Sequence, residues 1–121
     1  MKFLLRSLFA FALLCHAVLP AVGQEAGRYF TDLPDLPVMP ALAEMPEAGV
    51  RFDKPEGRIV EVYARGEAQA EEVLAFYRQA LPQLGWKIEG PERFRREGEV
   101  LKLGIEARGG VVTLHCSLRP E

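Results

Sequence analysis

Apolar residues recur at helical spacing between residues 73 and 84. They fall at i, i+3, i+4, i+7, i+8 and i+11, which places them on one face of an α-helix. Acidic residues between 67 and 72 suit the positive end of the helix dipole, and Gly66 is the nearest residue that could precede it. Pro82 predicts that the regular helix ends near Leu81. The apolar face consists of Val73, Phe76, Tyr77, Ala80, Leu81 and Leu84.

The pattern changes to strict alternation after the helix. Gly85 can adopt the left-handed conformation that ends a helix, and Trp86 and Ile88, two residues apart, are expected to enter the core. In the runs 99–107 and 111–118, apolar residues alternate with polar ones. One helix covers one face of a sheet, so we expect the second face to be polar and open unless a partner or residues 24–49 cover it. The polar positions of these two runs include Lys102, Glu106, Thr113, His115 and Ser117.

Six short runs with alternating or apolar residues predict strands, two before the helix and four after it. Turns rich in Pro and Gly separate them. The predicted fold is therefore α+β, in which one helix packs on a curved antiparallel sheet in the order β-β-α-β-β-β-β. The predicted strands are 50–53, 58–64, 86–89, 93–96, 99–107 and 111–118.

The first 23 residues have the pattern of a secretory signal peptide. Two basic residues precede an apolar run at 7–19, and Ala21-Val22-Gly23 has small residues where a signal peptidase needs them. We predict cleavage after Gly23, export, and a periplasmic location without a transmembrane span.

Two other interpretations of this leader remain open. An uncleaved anchor has an apolar run of thirteen residues, whereas a bilayer span needs about twenty. Lipid attachment at Cys15 is disfavoured because Leu14 stands where a small residue is needed.

Removal of the predicted signal peptide makes the net charge of the chain more negative. The full chain has a formal charge of −2; cleavage leaves thirteen basic and seventeen acidic residues, a charge of −4. The acidic excess lies in residues 24–49, and residues 50–121 are neutral. This distribution lacks the basic footprint of a nucleic-acid binder.

Residues 24–49 form a Pro-rich acidic segment ahead of the compact α+β domain predicted for residues 50–121. Three of its prolines recur every third residue, which is the repeat of a polyproline II helix. Leu33, Leu36 and Met39 each precede a proline and would align along one edge of that helix. The segment is either an extended spacer or an arm whose apolar edge docks on the domain or on a partner.

The residues that could carry chemistry are few. His115, Cys116 and Ser117 are consecutive on a predicted strand, so Cys116 points away from its two neighbours. Cys116 is either a small buried hydrophobe or a reactive or intermolecular thiol. After the predicted cleavage His115 is the one His left, which cannot build a zinc site, and no Gly-rich phosphate loop opens the helix. We therefore expect no enzyme activity, no metal and no cofactor.

The remaining candidate is a surface. We expect a mixed cationic and aromatic patch on the open face or its rim, beside the apolar edge of the Pro-rich segment. The segment and an anionic ligand could compete for this face. The candidate residues of the face are Tyr63, Lys87, Arg93, Arg95, Lys102 and His115, and those of the segment are Leu33, Leu36 and Met39.

Four stretches carry a resemblance over residues 32–118. They are Leu-Pro-Val-Met-Pro at 36–40, Phe-Asp-Lys-Pro-Glu-Gly-Arg-Ile-Val at 52–60, Phe-Tyr-Arg-Gln-Ala-Leu-Pro-Gln-Leu-Gly-Trp at 76–86 and Phe-Arg-Arg-Glu-Gly-Glu at 94–99. With these the chain resembles small exported bacterial proteins of unassigned function. The resemblance implies a non-enzymatic envelope domain and transfers no active site.

These observations lead to one functional expectation and two alternatives. We expect a monomeric, exported module that binds an envelope protein or component on its open sheet face or at a sheet edge. The first alternative is a carrier of a small apolar or anionic ligand between helix and sheet. The second, an enzyme or its accessory subunit, has the least support.

Overall fold

The computed structural model describes residues 28–121. The predicted signal peptide, its cleavage point after Gly23 and Cys15 lie outside the described residues. Within the described part the chain forms one α-helix, a short 3-10 helix and seven strands. The strands are β1 (Ala43–Glu44), β2 (Val50–Lys54), β3 (Gly57–Glu67), β4 (Lys87–Gly90), β5 (Arg93–Arg96), β6 (Glu99–Arg108) and β7 (Val111–Pro120), with the 3-10 helix at Pro46–Ala48 and α1 at Ala70–Gln83.

The strands form one open antiparallel sheet in the order β1-β3-β7-β6-β5-β4. The strand β2 also pairs with β3, next to β1 on the same side of β3. The predicted α+β fold and the order β-β-α-β-β-β-β are confirmed, and β1 is a short addition ahead of that order. None of the helices in residues 28–121 has the length and apolar character needed to cross a bilayer.

The core lies between α1 and one face of the sheet. Alternate residues of β3, β6 and β7 point toward the helix and are buried there, as the alternation of the sequence predicted. From the helix, Val73, Tyr77 and Leu81 are buried against them. Two predicted core positions are wrong: Ile88 is 42% exposed on the edge strand β4, and Leu84 is 37% exposed just after the end of α1.

Both ends of the helix differ from the prediction. The residue that precedes the helix is Gln69 rather than Gly66, and the helix continues through Pro82 to Gln83. Proline has a helical φ, so it is accommodated in the last turn at the loss of one hydrogen bond. Gly85 has a φ of +90° and reverses the chain as expected.

Gly66 does not cap the helix but allows the backbone at Ala41 to approach the backbone of β3 closely. A Cβ atom at this position would lie 2.2 Å from the carbonyl oxygen of Ala41. The absence of a side chain therefore lets the segment before β1 cross β3 in direct contact.

Residues 28–49 pack into the core as a set of tight turns. Phe30 donates its backbone N–H to the Leu36 carbonyl at 3.0 Å, and Leu36 donates to the Leu33 carbonyl at 2.9 Å. A polyproline II helix has no such internal hydrogen bonds, so that prediction is wrong for this segment. The buried side chains of the segment are Phe30, Leu33, Leu36, Val38 and Leu42, and they share one cluster with the helix and the sheet.

Candidate interaction face

The second face of the sheet is uncovered by any element of residues 28–121, and we call it the open face. Strand register places eight basic side chains on it. Five acidic residues lie among or beside them. The remainder of residues 28–121 holds five basic and eleven acidic residues, so charge is strongly polarised across the molecule. The basic residues are Lys54, Arg65, Lys87, Arg93, Arg95, Lys102, Arg108 and Arg119; the acidic ones are Glu61, Glu67, Glu89, Glu106 and Glu121.

Five of the basic residues are concentrated in two neighbouring rows across β7, β6, β5 and β4. In one row Arg119 lies opposite Val100, Val100 opposite Arg95, and Arg95 opposite Lys87. In the next row Ser117 lies opposite Lys102, and Lys102 opposite Arg93. Neighbouring strands are about 4.8 Å apart, so these side chains form one contiguous surface. We call Lys87, Arg93, Arg95, Lys102 and Arg119 the cationic patch.

Ion pairs neutralise part of this patch. Glu89 lies 3.3 Å from Arg93 Nε and 2.6 Å from Arg95 Nε, and Glu121 also pairs with Arg95. Within residues 28–121 the ion pairs of the structure leave Lys87 and Lys102 without a carboxylate partner. These two ammonium groups are exposed and available to an external anion.

A shallow depression of about 210 Å³ lies within the patch. Val100, which is 7% exposed, and Pro120 contribute its apolar lining, and Arg93, Lys102, Arg119 and the acidic Glu121 also line it. This arrangement can receive a short apolar group that carries or neighbours an anionic group.

The centre of the open face holds a stacked aromatic pair. The rings of Tyr63 and His115 have centroids 4.4 Å apart and are inclined by 2°. His115 Nε2 lies 3.5 Å from a carboxylate oxygen of Glu61, which also pairs with Arg119 at 3.2 Å. Gly104 lies opposite His115 on β6, so no side chain covers the second side of that ring. The stacked pair lies in the row next to Ser117 and Lys102 and so borders the patch.

The structure brings together the face residues predicted from the sequence, with Lys87 at the edge strand. The prediction missed Arg119 and Val100. The predicted last strand stopped at Leu118, and one more step of the same alternation would have placed Arg119 beside Ser117. Val100 was overlooked because its neighbour Leu101 was already assigned to the core.

The three segment residues proposed for the surface lie elsewhere. Leu33 and Leu36 are 1% and 2% exposed, and Met39 packs partly buried against the same core. They are on the helix side of the sheet and are therefore not part of the open face. Of the two interpretations of the segment, docking on the domain itself matches this packing.

The residues considered for chemistry are separated by the sheet. Cys116 is fully buried on the helix side, and burial raises the pKa of its thiol. On the open face, Ser117 Oγ accepts a hydrogen bond from Arg119 Nε at 3.4 Å, while His115 faces Tyr63 and Glu61. Within residues 28–121 no three His, Cys, Asp or Glu side chains converge as metal ligands.

Comparison of the chain with protein-family models, with curated proteins and with solved structures gives no match. The functional argument therefore proceeds from the geometry and charge of the open face.

Proposed function

We propose that the chain is a non-enzymatic binding module that holds an acidic polypeptide segment on the cationic patch of its open face. The observation that carries this proposal is the placement of five basic side chains in two adjacent rows of an uncovered sheet. Export to the cell envelope belongs to the same proposal, and its support is the sequence of residues 1–23.

The distribution of acids on the face favours a partner with discrete carboxylates. Glu61, Glu89 and Glu106 interrupt the positive surface, so a uniformly anionic surface would meet repulsion at fixed positions. A polypeptide can place its carboxylates opposite Lys87 and Lys102 and leave gaps opposite the glutamates. Charge complementarity of this kind sets register and association rate more than affinity.

Recognition also requires an apolar contribution, which the depression beside Val100 can supply. Burial of one partner side chain there would remove apolar surface from water at about 25 cal/mol per Å². We therefore expect an acidic segment that contains an apolar or aromatic residue to bind more tightly than polyglutamate.

The alternative of a ligand carrier has less support from the packing. Tyr77, Trp86 and Leu103, which would line a cavity between helix and sheet, are 0%, 4% and 3% exposed and belong to the core cluster. The ring of Phe76 contacts Tyr77 edge-on with centroids 4.9 Å apart. These side chains occupy the space that a ligand would need.

The test uses charge reversal within the patch and a matched reversal outside it. We expect the pair Arg93→Glu and Lys102→Glu to weaken binding of a labelled Glu- and Phe-containing peptide by about tenfold or more. Arg108→Glu reverses a charge at the far end of the same face and should have little effect. Affinity is measured by fluorescence anisotropy at two salt concentrations, and the wild-type affinity should fall as salt rises.

The same variants serve in crosslinking pull-downs from the cell envelope of the native host. A protein captured by wild type and by Arg108→Glu, but lost with the patch variant, is the expected result. Equal peptide affinity in the patch variant and in wild type would remove the basis of the proposal.

A further inference from the structure

The strand β2 presents a free edge to solvent. It pairs with β3 on one side, and no other strand of residues 28–121 pairs with its second side. All five residues of β2 are exposed, and Phe52 and Val50 are 58% and 40% exposed. An exposed edge strand with apolar side chains is a template for pairing with another strand.

The sequence of this edge is complementary to itself. An antiparallel partner centred on Phe52 places Phe52 opposite its counterpart, and places Arg51 of each copy opposite Asp53 of the other. Within one copy Arg51 and Asp53 already lie 3.5 Å apart on the same side of the strand. Pairing of two copies would therefore bring Arg51 and Asp53 of both copies together, with each charge next to two opposite charges. Opposite charges directly across a strand pair are favourable, and like charges are not.

From this complementarity we infer that two copies of the chain associate through their β2 edges, with a twofold axis at Phe52. The interface is isologous, because each edge contacts the same edge of the other copy. It joins two sheets into one and places both open faces on the same side. This inference replaces the monomer expected from the sequence, and it is independent of the acidic partner.

The apolar side chains of the edge would gain a second partner in this dimer. Phe52 lies opposite Ile59 on the open face, so the two phenyl rings would continue an apolar strip between the two Ile59 side chains. Val50 would lie opposite Lys54 of the other copy, whose methylene groups can cover it while the ammonium stays in water. A groove of about 450 Å³, lined by Val50, Phe52 and Ile59 and by three charged side chains, borders this edge in the single chain.

The small area buried between two β2 strands limits the affinity of the dimer. One five-residue strand pair is smaller than the roughly 800 Å² per partner of a stable interface. The dimer should therefore be weak and dependent on concentration, in rapid exchange with the monomer.

Charge reversal tests the register directly. Arg51→Asp places two aspartates opposite two aspartates, and Asp53→Arg places two arginines opposite two arginines. Each variant should raise the dimer dissociation constant by about tenfold or more. The double variant Arg51→Asp with Asp53→Arg restores the opposite charges and should recover association. Sedimentation velocity from micromolar to millimolar protein measures the constants, with Arg108→Asp as a charge-matched control away from the edge.

Mixing the two single variants gives a second readout that a folding defect cannot imitate. The edge with two aspartates complements the edge with two arginines, so the mixture should form heterodimers more readily than either variant pairs with itself. A wild type that stays monomeric at millimolar concentration overturns the inference. Single variants that associate as well as wild type, or a mixture that fails to pair, overturn it equally.

Discussion

Tyr77 connects the helix to the segment that precedes the sheet. Its hydroxyl donates a hydrogen bond to the Pro37 carbonyl at 2.9 Å and accepts one from the Met39 backbone N–H at 3.2 Å. The residue is completely buried, and this burial raises the pKa of its phenol. One side chain therefore satisfies two backbone groups of a segment about forty positions away in sequence.

Replacing Tyr77 by Phe should destabilise the fold by about 1 to 3 kcal/mol. The substitution preserves the ring but leaves the Pro37 carbonyl and the Met39 N–H without this partner. Chemical denaturation followed by tryptophan fluorescence gives the free energy of unfolding.

Tyr63→Phe is the matched control, because the same hydroxyl is removed from a half-buried ring on the open face. Its effect should stay within about 0.5 kcal/mol. Equal losses for both variants would show that the Tyr77 hydrogen bonds do not stabilise the segment.

Polar contacts hold the turns of residues 28–49 together and attach this segment to the sheet. Arg28 donates to the carbonyls of Pro40 and Leu42 at 3.1 and 2.9 Å. Asp35 pairs with Arg96, whose guanidinium also lies 4.4 Å from the centre of a Trp86 ring. The Asp35 pair therefore attaches the segment to the strand β5.

The Asp35 pair should make stability depend on pH. Burial raises the pKa of Asp35, but the hydrogen bond and charge of Arg96 outweigh it, so the pKa lies below its ordinary value of 3.8. A lowered pKa stabilises the fold above the ordinary value, and the contribution disappears as pH falls through the lowered one. Asp35→Asn should therefore cost up to about 1 kcal/mol at pH 7, because the pair is partly exposed, and progressively less below pH 3.8.

Hydrogen exchange of the Phe30 and Leu36 amides gives the stability of the segment at each pH. Comparison of Asp35→Asn with wild type then tests the predicted pH dependence. Glu56→Gln is the control because Glu56 is exposed in the turn between β2 and β3. A deficit for Asp35→Asn that stays constant down to pH 2 would contradict the assigned role of the ion pair.

The helix and the hairpins were predictable from sequence because their signals are local. Val73, Tyr77 and Leu81 repeat at the helical period, and Gly109 and Gly110 both adopt the positive φ that a tight hairpin turn requires. The segment 28–49 was not predictable in the same way. An apolar residue at every third position fits a polyproline helix, but it fits a series of turns as well. The contacts that decide between the two come from the distant Tyr77.

Strand alternation was sufficient to predict which residues lie on the open face. His115, Lys102 and Arg93 follow from the alternation and from the helix covering one side. The grouping of charges into two rows depends on register between strands, which a single strand does not reveal. Leu33 and Leu36 were placed on a surface because their leucine edge had no visible partner in the sequence.

The reactivity of the buried Cys116 thiol is a measure of global unfolding. Cys116 is paired on both sides, opposite Val62 and Leu103, in the middle of the sheet. Its raised pKa lowers the thiolate fraction, and its full burial blocks access of a reagent.

We expect the native thiol to react with Ellman's reagent at least about 10³-fold more slowly than the unfolded thiol, as the stability of a small domain implies. The rate in mild denaturant should follow the population of unfolded protein. The double variant Cys116→Ala with Ser117→Cys moves the thiol to the open face and should react quickly while folded. Rapid reaction of native wild-type protein would restore the interpretation of Cys116 as a reactive thiol.

The close contact of the Ala41 carbonyl with Gly66 holds the segment 28–49 against β3 through its backbone as well as through its side chains. Residues 28–49 hold the strand β1 and five core side chains, so a protein that starts at Val50 would lack one edge strand and part of its interior. A synthetic peptide of residues 28–49 has the turns and leucines to occupy that vacancy from outside. We therefore expect this peptide to bind the shorter protein, and the dissociation constant of the pair would measure how strongly the segment is held.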